Sequence, residues 1–159
     1  MKLEFVRDGK NMPIFFNLTR PVGKGYSSAP PDDVGLVQLC LAAIVAPGSA
    51  SPPPAELIPT LTRVRVTGTT DADTLAGIQA MQQFRQDRFG RKFEVDGIVT
   101  PAPAGVIDYS GDVPYTIWFL NFALLSATPS IWPRLDKHPL CTGNLGDAIR
   151  KALSDLITA

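Results

Sequence analysis

The sequence predicts a mainly α-helical domain with a small N-terminal β-hairpin and long proline-rich loops. Four segments place apolar residues at helical spacings of three and four, near residues 34–44, 75–89, 115–125 and 145–156. Fifteen prolines and thirteen glycines keep these helices short, because proline fixes φ and removes a hydrogen-bond donor. With 45% apolar residues, the 159-residue chain can bury one hydrophobic core.

The N-terminal segment predicts the hairpin. Residues 3–7 and 14–18 are apolar and aromatic enough to form short strands, and the residues between them, 8–11, are turn formers. Residues 20–31 contain glycines and prolines and are expected to form a loop.

The first helix is expected to begin near Asp32 or Asp33, where a carboxylate can accept hydrogen bonds from free N–H groups of the first turn. Pro47 and Gly48 end it. Five prolines within residues 47–59 then predict a stiff, exposed loop. The apolar stripe of the helix consists of Val34, Val37, Cys40, Leu41 and Ile44.

The middle of the chain predicts a strand, a helix and a turn. Residues 62–66 alternate polar and apolar side chains, as a half-buried strand does. Asp71 or Asp73 can cap a second helix that runs to about Phe89 and stops at Gly90. Residues 93–99 are expected to be extended, with a tight turn at Asp96-Gly97.

Two further helices are predicted after a second proline-rich stretch. Pro114 suits the first turn of a third helix, whose broad apolar face continues to Leu125. A last helix begins near Thr142 or Asn144 and runs to about Ile157. Its apolar stripe is the clearest in the chain and consists of Leu145, Ala148, Ile149, Ala152, Leu153 and Leu156.

Charge and hydropathy argue against two classes of partner. The formal net charge is zero and the fifteen Lys and Arg residues are scattered, so a nucleic-acid partner is not expected. The most apolar segment, residues 113–127, spans about fifteen residues where a bilayer needs about twenty, so no membrane insertion is expected. Residues 1–8 lack the apolar core of a signal peptide, so we expect synthesis in the cytoplasm.

The sequence carries no recognisable catalytic or metal-binding pattern, and neither enzymatic activity nor a cofactor or metal is expected. Its one histidine, His138, is expected at the surface and has no set of neighbouring ligands. Cys141 lies three residues later, a weak hint of a nucleophile, and its sulfur is expected to pack or cap a helix. Cys40 is expected to be a buried free thiol, and the sequence leaves a disulfide to Cys141 open.

Four segments, taken in order, resemble the peptidoglycan-binding-like domain family. Asp33-Val34-Gly35-Leu36-Val37-Gln38-Leu39-Cys40-Leu41 is similar to the family's first helix, Asp-Val-x-x-Val-Gln-x-x-Leu. Thr74, Gly77, Ile78, Met81 and Gln82 occupy the positions of its second helix, with looser identity. Val95-Asp96-Gly97-Ile98-Val99 repeats the family's turn, and Thr116 to Asn121 is similar to the opening of its third helix.

The resemblance implies a three-helix peptidoglycan-binding-like core over residues 32–126, with an insertion at 100–114. Residues 1–31 would form an added N-terminal hairpin and loop, and residues 127–159 a C-terminal helical extension. The chain departs from the family at the link between the turn and the third helix. Thr100-Pro101 replaces the usual Gly-Pro, and about fourteen residues lie between Pro101 and Thr116. The family's first Asp-Gly turn corresponds to Thr67-Gly68 here.

The implied function is non-catalytic binding of peptidoglycan, in a phage protein or one associated with a secretion system. Cell lysis or a dedicated secretion machine would then deliver the protein to the periplasm or cell wall. The alternative is a structural or adaptor protein of a phage or contractile apparatus, which holds a protein partner through the same scaffold. The proline-rich loops and added terminal segments favour that alternative.

A ligand groove is expected beside the second helix and the Asp96 turn. Gln82, Arg85 and Arg88 would supply donors and Asp96 an acceptor. Tyr109 or Trp118 would supply a flat aromatic face. Against this, the two arginines could be ordinary solvated helix residues, and Trp118 could belong to the core.

An open groove lined by Arg85, Asp96 and Tyr109 would favour wall binding. A groove filled by the last helix or by residues 100–114 would favour the adaptor.

Overall fold

The fold is mainly α-helical. The computed structural model describes residues 1–6, 12–103 and 114–158. Within these residues 49% of the chain is helical, which confirms the predicted class. The α-helices are α1 (Pro31–Val45), α2 (Ile58–Leu61), α3 (Ala72–Phe89), α4 (Thr116–Ala127) and α5 (Asn144–Thr158).

The predicted N-terminal hairpin is present. Strands β1 (Lys2–Phe5) and β2 (Ile14–Asn17) pair antiparallel, with Lys2 opposite Asn17 and Phe5 opposite Ile14. The turn predicted at residues 8–11 lies outside the described residues. The buried side chains of both strands join those of the helices in one hydrophobic core.

Helix α1 is the centre of the molecule. Its residues from Asp33 to Ile44 are all buried, so the helix is covered on every side rather than along one stripe. It contacts all four other helices. The other elements are therefore arranged around α1.

The predicted N-cap of α1 is wrong. The helix begins at Pro31, and no side chain caps it. Pro31 has no N–H group, so the first helical position needs no acceptor. The Asp33 carboxylate is instead fully buried and accepts hydrogen bonds from the Thr19 N–H, the Thr19 hydroxyl and the Arg20 N–H at 2.7–3.2 Å. It also pairs with the Met1 ammonium group at 2.7 Å.

Other helix ends agree better with the sequence. The Asp71 carboxylate caps α3, accepting from the Thr74 N–H at 2.8 Å and from the Thr74 hydroxyl at 2.7 Å. Helix α5 begins at Asn144 as expected. Helix α4 begins at Thr116, so Pro114 precedes the helix instead of occupying its first turn.

The strand predicted at residues 62–66 is wrong. These residues form a turn and irregular backbone after α2. The loop predicted at 47–59 is helical at its end, because a short 3₁₀ helix (Ala55–Leu57) and the first two residues of α2 lie in it. Leu57 and Leu61 are 3% and 0% exposed, so burial of these two side chains draws the segment onto the core. Val64 is buried too, which explains the alternating pattern without any strand pairing.

A second, two-stranded sheet joins distant parts of the chain. Strand β3 (Val22–Gly23) pairs antiparallel with β4 (Ile98–Val99), with Val22 opposite Val99 and Gly23 opposite Ile98. The loop predicted at 20–31 therefore contains one short strand. The extended backbone predicted at residues 93–99 is confirmed at residues 98–99, which form β4.

Two buried glutamine side chains hold the turns between the helices. The Gln38 carbonyl oxygen accepts the N–H groups of Thr67 and Gly68 at 2.8 and 2.9 Å. Its amide nitrogen donates to the Thr67 hydroxyl, the Thr69 carbonyl and the Thr74 hydroxyl within 3.2 Å. Gln38 thus ties α1 to the turn before α3 and to the first turn of α3.

We expect Gln38→Met to lower the free energy of unfolding by roughly 2–4 kcal/mol, because the side-chain volume is kept while two turn N–H groups lose their acceptor. Gln83→Met is the matched control, since Gln83 is exposed and bonds only within α3; it should cost less than about 0.5 kcal/mol. Urea unfolding at equilibrium measures both. Equal losses in the two variants would contradict the proposed role of the Gln38 amide.

Candidate functional site

A polar pocket of about 280 Å³ lies beside α3. The C-terminal half of α3, the irregular segment 92–100 and the start of α4 form its walls. The sequence-predicted residues that line it are Gln82, Arg85 and Asp96. The pocket also includes Lys92, Glu94, Ile98, Thr100, Pro114, Tyr115 and Thr116.

Gln82 builds the pocket and is 2% exposed. Its carbonyl oxygen accepts the Gly97 N–H at 2.8 Å. Its amide nitrogen donates to Asp96 Oδ1 at 3.0 Å, the Ile98 carbonyl at 2.9 Å and the Thr116 hydroxyl at 3.2 Å. Since its amide is fully engaged within the protein, Gln82 positions the turn rather than offering a donor to a ligand.

Asp96 is exposed, but its Oδ1 atom is used by the turn. This atom accepts from the Ile98 N–H at 2.9 Å as well as from Gln82. The carboxylate therefore has a fixed position at the edge of the pocket.

Arg85 is not a solvated helix residue. It is 6% exposed, and its guanidinium carbon lies 3.9 Å from the centre of the Phe93 ring and 5.1 Å from that of Phe119. One of its nitrogens donates to the Pro114 carbonyl at 3.3 Å. These cation–π contacts hold the charge in place along the pocket wall.

The remaining predicted residues lie elsewhere. Arg88 is outside the pocket, 56% exposed, and pairs with Glu56 at 3.3 Å. Trp118 is 7% exposed and packs edge-to-face on Phe15 in the core, with 5.6 Å between ring centres, which agrees with the alternative interpretation of this residue. Tyr109 lies outside the described residues.

Sequence reasoning missed two charged residues of the pocket, Lys92 and Glu94. They sit in an irregular segment where no periodicity marks a face, so only their closeness to the Asp96 turn could have indicated them. With them, the pocket combines two cations, Arg85 and Lys92, with two carboxylates, Glu94 and Asp96. Such a site suits a polar ligand that presents both charges or several amide groups.

A tight contact between two glycines braces the turn that forms this pocket. Gly23 has a φ of 125°, and a Cβ atom on it would overlap the Gly97 carbonyl oxygen. The Lys24 N–H donates to that same oxygen at 2.9 Å. The absence of a side chain at Gly23 therefore lets β3 approach the Asp96-Gly97 turn.

His138 and Cys141 are not arranged as a base and nucleophile. The expected surface position of His138 is wrong, because the side chain is 9% exposed and its Nδ1 accepts the Leu140 N–H at 3.0 Å. Burial raises the pKa of the Cys141 thiol to about 11, so the reactive thiolate is disfavoured. Cys40 is fully buried, and burial raises its pKa to about 12. Both cysteines are free thiols.

The described residues contain no group of three or more His, Cys, Asp or Glu side chains placed to hold a metal ion. None of the helices described here is both long enough and apolar enough to span a bilayer.

Comparisons with known proteins give no relative: the chain matches no family model and no curated protein, and no solved structure matches its fold.

Gly23→Ala should destabilise the protein by roughly 2–4 kcal/mol, because the added methyl group meets rigid backbone at a positive φ. Gly25→Ala provides the comparison: its φ is 84°, but nothing lies within 4 Å of the added carbon. We expect it to cost only about 1–2 kcal/mol from backbone strain. Thermal and urea unfolding of the two variants measure the difference, and similar losses would argue against the steric explanation.

His138 should make the free energy of unfolding decrease as the pH falls below about 6.5. Burial lowers its pKa below the ordinary value of 6.5, so the unfolded chain binds the proton more readily than the folded one. The stabilisation is fully present above pH 6.5 and decreases as the pH falls below it. His138→Asn, which keeps an acceptor for the Leu140 N–H, should remove this part of the slope when urea midpoints are compared at pH 7.5 and 5.5. An unchanged slope in the variant would refute the assignment.

Proposed function

We propose that the protein is a non-catalytic peptidoglycan-binding module and that the pocket beside α3 is its ligand site. The observation that carries the proposal is the convergence of opposite charges in this pocket. Arg85 and Lys92 line it together with Glu94 and Asp96. The stem peptides of peptidoglycan offer carboxylate, amino and amide groups that are complementary to these charges.

The sequence resemblance supports the same proposal of a peptidoglycan-binding module. Helices α1, α3 and α4 would correspond to the three helices of the peptidoglycan-binding-like family, with the motif Val95 to Val99 at the turn before α4. In this assignment residues 32–126 form the core, 1–31 the added hairpin and loop, and 127–159 the C-terminal extension. The motif glutamines Gln38 and Gln82 then act as scaffold, and ligand contacts come from the charged residues around them.

The position of α5 also supports wall binding. The described lining of the pocket comes from α3, residues 92–100 and residues 114–116, and α5 packs instead against α1 and β1. The pocket is therefore not filled by the last helix, one of the two arrangements that would have favoured an adaptor. The other arrangement concerns residues 100–114: Thr100 and Pro114 line the pocket, and residues 104–113 lie outside the described residues. In this proposal the protein reaches the wall after cell lysis or through a contractile secretion apparatus.

A protein-binding adaptor of a phage or contractile apparatus is the second candidate, and an aromatic surface favours it. Phe89 and Phe122 are 59% and 41% exposed. Phe119 stacks on Phe84 with 6.4 Å between ring centres and meets the Phe89 ring at 6.3 Å. Exposed aromatic rings beside an arginine are typical of protein–protein interfaces.

Sedimentation with insoluble peptidoglycan sacculi tests the first candidate. We expect the wild-type protein to sediment and Glu94→Lys to lose roughly three- to tenfold in affinity, because the exchange reverses one charge of the pocket. Asp155→Lys is the control, since Asp155 is an exposed acid of α5 and does not line this pocket. It should bind like the wild type.

The Asp155→Lys control separates specific binding from a general effect of net charge. Equal binding by the wild type and both variants would indicate that the ligand site lies outside the pocket beside α3. No sedimentation of the folded wild type would contradict peptidoglycan binding and favour the adaptor. Circular dichroism of each variant establishes that it is folded.

A further inference from the structure

A second cavity, of about 450 Å³, lies away from the polar pocket and shares no lining residue with it. It is enclosed by the C-terminal end of α1, by α2 with the turn that follows, and by residues 139–142. Its size is within the range of cavities that hold small ligands.

The floor of this cavity is apolar. Ala42, Leu61 and Val64 line it and are 6%, 0% and 2% exposed. Val45, Ala46 and Leu140 continue the apolar surface toward the mouth. Water on this surface gains few hydrogen bonds, so its release by an apolar chain is favourable.

The mouth carries one positive charge. Arg65 is the charged residue among those that line the cavity, and it is exposed. Its Nη1 donates to the Thr62 carbonyl at 2.7 Å and to the Val64 carbonyl at 3.3 Å, which holds the guanidinium group at the rim. No acidic side chain of the described residues pairs with it.

We propose that this cavity binds a medium-chain fatty carboxylate. The hydrocarbon chain occupies the floor formed by Leu61 and Val64, and the carboxylate meets the outward side of the Arg65 guanidinium group. Arginine is suited to this role, because its planar fork can donate two parallel hydrogen bonds to a carboxylate. A neutral alkane fills the floor equally well but gains no electrostatic contact with the Arg65 guanidinium group, so the charge defines the ligand class. This site is independent of the proposed binding of peptidoglycan.

Octanoate below its micelle concentration is the probe, and 1-octanol is the neutral comparison. Two-dimensional NMR of the ¹⁵N-labelled full chain should show octanoate shifting the amide signals of Ala46, Val64 and Leu140. We expect Arg65→Gln to weaken octanoate binding by roughly three- to tenfold, as loss of a rim ion pair does. Arg63→Gln is the matched control, because Arg63 is an exposed arginine of the same turn that does not line the cavity.

A cavity-filling variant tests the apolar part of the site. Ala46 lines the cavity in extended backbone at the end of α1, where a leucine side chain meets no conformational strain. Ala46→Leu should abolish the octanoate shifts while the remaining spectrum stays that of the folded protein.

The following results would overturn the proposal. They are the absence of octanoate shifts at the cavity, equal binding of octanol and octanoate with no effect of Arg65→Gln, and unchanged binding in folded Ala46→Leu. An effect of Arg63→Gln as large as that of Arg65→Gln would also overturn it.

Discussion

The arrangement of the helices depends on the hydrogen bonds of two buried glutamine amides. Gln38 of α1 and Gln82 of α3 each accept backbone N–H groups from a turn and donate to a threonine at the start of the next long helix. A fold with so few strands has few ladders in which turn N–H groups can pair, and an unpaired buried group costs about 1–3 kcal/mol. The Gln82 amide, which orders the Asp96 turn, also lines the polar pocket.

Short polar side chains attach the N-terminal hairpin to the helices in the same manner. Asn17 exchanges hydrogen bonds with the backbone of Ala102, and Asn121 of α4 bonds both the N–H and the carbonyl of Phe16. Asp33 holds the segment after β2. These contacts fix the direction of irregular backbone, which apolar packing alone leaves undetermined.

Features encoded locally were predictable from the sequence, and those that join distant residues were not. The stripe of α5 and the Asp71 cap of α3 depend on neighbours within a few positions. The pairing of β3 with β4 and the role of Asp33 depend on partners far along the chain, which no local pattern names. The same division holds at the pocket. The motifs of the second helix and of the turn indicated Gln82 and Asp96, whereas Lys92 and Glu94 carry no periodic signal. Burial of Arg85 depends on its contacts with the rings of Phe93 and Phe119.

The bonds between Phe16 and Asn121 span 105 positions of the chain, and this separation has a consequence for biosynthesis. During translation the hairpin leaves the ribosome long before α4 exists to cover it. A lone two-stranded hairpin is only marginally stable in water, so Phe15 and Phe16 stay exposed until most of the chain has been made. Completion of the core is thus a late event, and the nascent N-terminal segment is the part of this protein that most needs protection from aggregation.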